Sequence, residues 1–407
     1  FQLIYVFDMG NNHDKALGTA FDYLEYLGTS DMTPEELKSE FYRLACTFYV
    51  SPGNERTYVV LSGLNENMPA AVQLFEKLLA DAQVNKEAYT NMTSDILKAR
   101  SDAKLNQGQN FSRLMSFAMY GPKSPATNLL TEAELTNMNP QELVDRIHNQ
   151  NSYKHRILYY GPSSSKDLLA TINQYHQVPA ALKDIPAGNE YSYLETPVTK
   201  VLVAPYDAKQ IYMAQISNLD KKYDPAIEPI RALYDEYFGG GMNSIVFQEM
   251  RETRGLAYSA WASIMPPSYL KYPYVLRTQI ATQNDKMIDA VTTFNDIINN
   301  MPESEAAFKL AKDGLTNRLR TERIIKGDII WSYINAQDLG QNVDPRIKLY
   351  NDIQNMSLKD IVDFQKQWVK GRTYVYCILG DKKDLELDKL KAVGPIEELT
   401  QEQIFGY

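Results

Sequence analysis

Apolar and polar positions along the chain switch between a period of two and a period near 3.6, and that switching sets the predicted elements. Residues 2–7 are strongly β-prone, and Gly10-Asn11-Asn12 ends them. A helix is predicted over 15–27. Another starts at Thr33-Pro34-Glu35-Glu36, with proline in the first turn and acids where the helix dipole favours them. Its inner face carries Leu37, Phe41 and Leu44. Strand-like stretches at 46–50 and 57–64 flank the turn Ser51-Pro52-Gly53-Asn54. Amphipathic helices follow over 70–79 and 85 to about 107.

The second half repeats the first. Met68 to Phe75 matches Met287 to Phe294, and Met138 to Asp145 matches Met356 to Asp363. Ile157 to Gly161 with Lys166-Asp167-Leu168 matches Cys377 to Gly380 with Lys383-Asp384-Leu385. Three blocks in order at one offset of about 219 residues describe two copies of a single unit. Strands interrupted by helix pairs, rather than strict strand–helix alternation, favour an α+β fold. Each copy is expected to be a mostly antiparallel sheet covered on one face by helices. The domains are placed at 1–190 and 191–407, divided where proline, glycine and polar residues cluster between Ile185 and Pro197.

In the second copy, Ile227, Ile230, Leu233, Tyr234 and Tyr237 form one helical face that stops at Gly239-Gly240-Gly241. Asn243 or Ser244 can cap a short helix that Gly255 closes, and 256–263 reads as a strand. This reversal from helix to strand is able to bring Arg251 and Tyr258 to one place. The glycine run lacks the Gly-Lys-Ser/Thr ending of a phosphate loop.

Composition narrows the function classes. With 407 residues, 44% hydrophobic and 23% charged, the chain has material for two or three cores. A net charge of −9 without a basic block argues against nucleic-acid or anionic-membrane partners. No apolar run has the ~20 residues of a membrane span. Cys46 and Cys377 suit buried thiols. The opening Phe1-Gln2-Leu3 reads as a strand rather than a signal peptide, and a piece of a longer protein is expected. Arg318, Arg320, Glu322 and Arg323 suit a solvated helix face. Asn91-Met92-Thr93 and Asn110-Phe111-Ser112 match the glycosylation sequon, a pattern common by chance.

The string from Gly239 to Tyr258 resembles the Gly-Gly-Gly-Met-x-Ser…Phe-Gln-Glu-x-Arg-x-x-Arg-Gly-Leu-Ala-Tyr signature of the insulinase/pitrilysin family of zinc metallopeptidases, in domains that do not carry the zinc. The resemblance implies the non-catalytic C-terminal half of such an enzyme. Two halves, fused or separate, close around a peptide substrate, and the zinc-bearing N-terminal half is the expected partner. Arg251 and Tyr258 would then hold the substrate carbonyl as its oxyanion develops. Gly239, Gly240 and Gly241 would leave backbone groups open near the substrate, and Arg254 would pair with Glu249 or Glu252.

The family's His-x-x-Glu-His motif is missing. Its place holds Asp22-Tyr23-Leu24-Glu25-Tyr26, with Glu25 where the general base stands, Asp22 and Tyr26 in place of the histidines, and Asp95 as the distal carboxylate. The second copy offers Leu233-Tyr234-Asp235-Glu236-Tyr237. Neither set suits zinc, because both lack imidazole. No cofactor is expected in this chain; zinc belongs to the partner half, and the chain alone is expected to be inactive. His13, His148, His155 and His176 show no i, i+4 pair and suit exposed or locally bonded roles. The alternatives are a non-enzymatic scaffold or regulatory subunit of the same fold, and an independent peptide-binding protein.

Overall fold

The structure is a computed structural model that describes residues 1–407. In chain order the first copy runs β1 (Gln2–Phe7), α1 (Leu17–Leu24), α2 (Pro34–Arg43), β2 (Cys46–Pro52), β3 (Thr57–Gly63), α3 (Met68–Asp81) and α4 (Lys86–Lys104). It continues with α5 (Gln107–Tyr120), α6 (Glu132–Asn137), α7 (Gln141–Asn149), β4 (His155–Tyr160) and α8 (Ser165–Tyr175). The second copy runs β5 (Lys200–Pro205), β6 (Gln210–Lys222), α9 (Glu228–Phe238), α10 (Ile245–Phe247), β7 (Ser259–Met265) and β8 (Pro273–Gln283). Then come α11 (Met287–Asn299), α12 (Glu305–Thr321), α13 (Asp328–Asp338), α14 (Pro345–Ile353) and α15 (Leu358–Trp368). It closes with β9 (Val375–Gly380), α16 (Leu387–Leu390), β10 (Ile396–Glu398) and α17 (Gln401–Phe405).

Two compact units result: Phe1–Asp102 with Pro125–Tyr191, and Ala103–Ser124 with Ser192–Tyr407. In the first unit the sheet order is β2-β3-β1-β4, antiparallel throughout. Leu3, Tyr5 and Phe7 of β1 are buried with Phe21, Tyr23, Val72, Phe75 and Ile147 from the helices. The start of α2 is fixed as its sequence suggests. Glu36 N–H donates to Thr33 Oγ1 (3.2 Å), and Thr33 N–H donates to Glu36 Oε2 (2.8 Å).

In the second unit the order is β10-β5-β9-β6-β8-β7. Its part β7-β8-β6-β9 repeats the order of the first sheet, so the sequence repeat is also a repeat of topology. β5 extends this core in parallel on β9, and β10 in parallel on β5. Tyr234, Phe238, Phe294 and Trp368 bury one face of the sheet under the helices.

The other face has its own cover. Phe111, Leu114, Met115 and Ala118 of α5 pack with Leu202, Ala214, Ile216, Val375, Cys377 and Leu379, joined by Ile404 and Phe405 of α17. The helix predicted to run to about residue 107 therefore stops at Lys104, and α5 begins anew with Asn106 as its cap, accepting from Gln109 N–H at 2.9 Å. Residues 103–124, read from sequence as part of the first domain, pack with the second unit. Asn110 is fully buried there, its amide donating to the Lys104 and Asn106 carbonyls and accepting from Gln401. Its sequon is out of reach of glycosylation in the folded chain.

Candidate functional site

The glycine turn is shaped by close packing. Gly239 and Gly240 N–H groups both donate to the Asp235 carbonyl, at 3.0 and 2.7 Å, and end α9. A Cβ on Gly239 would stand 2.3 Å from the carbonyl oxygen of Ala262 in β7, 2.4 Å from its nitrogen and 2.8 Å from its Cα. On Gly240 it would stand 2.8 Å from the Asp235 oxygen, whereas on Gly241 it would meet nothing within 4 Å. Gly239 is buried, while Gly240 and Gly241 are exposed. The expectation of three open glycines is corrected accordingly: Gly239 lets α9 lie against β7, and only Gly240 and Gly241 face outward. Gly239→Ala is expected to lower the free energy of unfolding by about 1–3 kcal/mol, as overpacking does. Urea unfolding measures this, and Gly241→Ala should cost far less.

Beyond the turn, Phe247 N–H donates to Ser244 Oγ (3.4 Å), which caps α10. The helix then widens into a π-helical turn over Gln248–Thr253. Leu256 N–H donates to the Met250 carbonyl (2.8 Å), and Gly255 takes φ +57°, which turns the chain into β7. Tyr258 N–H donates to the Ala281 carbonyl of β8 (2.9 Å). The Arg251 guanidinium carbon lies 5.0 Å from the Phe247 ring centroid and 5.4 Å from that of Tyr258. The reversal predicted from sequence thus brings Arg251 and Tyr258 side by side. Tyr258 is 72% exposed. Arg251 also lies 3.5 Å from Glu252, and Arg254 lies 3.6 Å from Glu249. A cation and a phenol together on an open surface form a hydrogen-bond donor pair suited to an oxygen that gains negative charge.

An ionic brace ties α9 to β7. Arg231 on α9 reaches Glu228 at 2.9 Å and Asp235 at 2.7 Å, and donates to the Ile264 carbonyl at 3.1 Å. Asp235 accepts from Ile264 N–H (2.8 Å) and Ser263 Oγ (2.9 Å), so the edge of β7 is tied to α9. Burial pushes the Asp235 carboxyl up to about 6 against the opposing pull of Arg231.

The positions of the lost zinc motif are arranged differently from the sequence reading. α1 ends at Leu24, so Asp22 is helical, Glu25 is the C-cap, and Tyr26 lies beyond the helix. The last turns tighten, with Tyr26 N–H donating to Tyr23 O and Leu27 N–H to Leu24 O. Asp22 and Tyr26 therefore do not share a helical face. Partial burial and the neighbouring Glu25 carboxylate raise the Asp22 pKa. Asp95 is exposed on α4. No group of three or more His, Cys, Asp or Glu side chains is placed to hold a metal ion. The chain brings His155 and His176 together instead, a contact their separation in sequence does not signal.

Comparison with known proteins shows what the chain is similar to. Residues 157–315 match the family described as "Peptidase M16 inactive domain". An uncharacterized zinc protease of Rickettsia felis is 20% identical over 263 residues, 61% of this chain and 60% of that protein. The non-peptidase homolog YmxG of Helicobacter pylori is 24% identical over 396 residues, 92% of this chain and 87% of that protein. The crystal structure of the periplasmic protease PqqL from Escherichia coli superposes with a TM-score of 0.73 at 14% identity. That match covers 94% of this chain and 43% of PqqL, and it speaks for the fold. With an inactive-domain match over residues 157–315, and a fold shared over 94% of its length with a peptidase M16 inactive domain from Pseudomonas fluorescens (TM-score 0.72, 15% identity, 92% of that chain), the chain is similar to inactive, C-terminal-type members of the peptidase M16 family.

Proposed function

We propose that this chain is the non-catalytic half of a zinc metalloendopeptidase, completing the peptide-binding chamber and stabilising the oxyanion formed on the substrate carbonyl. The observation that carries the reading is the exposed pair itself, with the Arg251 guanidinium 5.4 Å from the Tyr258 ring on a braced turn. A structural pair would be expected in a core; this one faces solvent and has donors to spare. Zinc and its water come from the partner half, fused or separate, and the substrate is a peptide. The 43% coverage of PqqL supports a half-enzyme, because this fold there occupies less than half of a protease chain.

The test uses an internally quenched peptide. The chain alone is expected to be silent, and a zinc-bearing chain of the same family from the same organism is expected to gain activity when this one is added. An unchanged rate on mixing overturns the reading. The second reading is a non-enzymatic scaffold or regulatory subunit, favoured by the Helicobacter relative, which is named a non-peptidase homolog. A scaffold associates with a partner in the same mixing experiment, but its effect is indifferent to Arg251 and Tyr258.

A further inference from the structure

His155 opens β4 and His176 follows α8, yet their Nε2 atoms lie 2.9 Å apart. The other nitrogen of each ring is already committed. His155 Nδ1 is 2.7 Å from the Tyr153 carbonyl oxygen, and His176 Nδ1 is 2.7 Å from Glu76 Oε1. A carbonyl and a carboxylate only accept, so both Nδ1 atoms donate. A neutral imidazole that donates at Nδ1 has a bare lone pair at Nε2. Two neutral rings would therefore point lone pairs at each other across a hydrogen-bond distance. One added proton resolves the conflict. The ring centroids are 5.0 Å apart, which sets the rings tip to tip, the arrangement of an N–H···N bond.

The surroundings say which ring carries the proton. Glu76 is 6% exposed and backs His176, so an imidazolium there is matched by a carboxylate. His155 has no such partner, and burial above all holds its imidazole below the usual range. Asn151 donates to the second oxygen of Glu76 (2.9 Å). On β1, the Phe7 ring lies 4.7 Å from His155 and the Tyr5 ring 4.9 Å from His176. Burial, then Glu76, keep the Tyr5 phenol protonated. Lys77 of α3, paired with Asp31, and His148 of α7 line a cleft of about 280 Å³ that reaches Glu76 from outside. Lys183 stands over the Tyr153 ring at 5.6 Å.

We infer that His155, His176 and Glu76 hold one proton in common, and that its loss as pH rises frees the last turn of α8, where His176 N–H donates to the Ile172 carbonyl (2.9 Å), and with it the stretch that follows. Residues 176–191 run from this point to the end of the first unit almost without helix or strand, so the bonded pair anchors their root. The sign follows from proton count. The bonded pair contains a proton that the separated neutral pair lacks, so the bond is fully present at low pH. It is lost as pH rises and the shared proton leaves.

Amide hydrogen exchange on the full chain at pH 5.5 and 8.5, corrected for intrinsic rates, tests this. Protection of α8 is expected to fall about tenfold relative to α15 at the higher pH, the scale of one charge-assisted hydrogen bond. In His155→Gln the side-chain amide either accepts from or donates to His176, so the fall should disappear while protection at pH 5.5 is kept. Equal α8 protection at both pH values in the wild type overturns the inference. So does the same tenfold fall in His155→Gln.

Discussion

Tyr258→Phe is expected to lower kcat of the assembled peptidase by about 10²–10³-fold, the usual loss for one oxyanion donor. The substitution removes only the hydroxyl. Tyr258 is 72% exposed, and its backbone remains bonded to Ala281, so the melting temperature should stay within a degree or so of wild type. Arg251→Ala is expected to cost a similar factor. Its side chain rests on the Phe247 and Tyr258 rings rather than in the core, so the loss again falls on activity and not on folding. If both groups serve the same oxygen, the double variant should lose less than the product of the single losses. The split between constants matters as well. A donor used only as charge develops lowers kcat and kcat/KM together, whereas a change confined to KM would assign the pair to ground-state binding. Wild-type kcat in both variants, with partner association intact, would leave the scaffold reading.

Much of this site was legible because its geometry is local. A glycine stop, a Ser cap and a second glycine within a short span fix most of the course that brings Arg251 and Tyr258 together, and β8 adds the bond from Tyr258 N–H to the Ala281 carbonyl. The repeat was legible for a similar reason: the two copies match in sequence, and each reports the succession of elements in the other. What escaped depends on contacts between distant stretches. The helix that carries Phe111, Leu114, Met115 and Ala118 was not read from sequence, and nothing in their spacing says that this face belongs on the sheet of the second unit. β10 has only three residues and is too short to announce itself by periodicity, and β5 is a short buried run that does not say it pairs in parallel with β9. The collision that reserves Gly239 for glycine involves the backbone of Ala262, in a strand twenty-odd residues on. His155, His176 and Glu76 form no motif and are joined only by folding.

The ionic brace on α9 joins i, i+3 and i, i+4 partners, and its importance lies in its burial. Arg231 has a side chain 13% exposed, with Glu228 at 20% and Asp235 at 16%. Arg231→Ala would leave two carboxylates facing each other with no cation, beside a Tyr274 hydroxyl that already donates to Glu228 at 2.6 Å. Breaking a buried pair from one side typically costs about 3–5 kcal/mol, far more than the pair itself contributes. That loss is expected in urea unfolding at neutral pH. It should also depend on pH in a stated direction. Burial already raises the Asp235 carboxyl from 3.8 to about 6 with Arg231 present, and removing the cation raises it further. Between the unfolded and folded values the native state binds more protons than the unfolded state, so stability falls as pH rises through that window. Arg231→Ala should therefore be closest to wild type near pH 5 and furthest from it near pH 8. The first copy supplies the contrast: there Leu17, Ala20 and Leu24 stand where Glu228, Arg231 and Asp235 do, and an apolar contact replaces the brace. The second copy keeps buried charge where Ile264 N–H and C=O are tied to α9, on the strand that follows Tyr258. Restoring most of the lost stability with Arg231→Met together with Asp235→Leu and Glu228→Gln, while activity with the zinc partner stays low, would show that the brace holds the position of β7 as well as its stability. If activity returns along with stability, the brace contributes to folding alone.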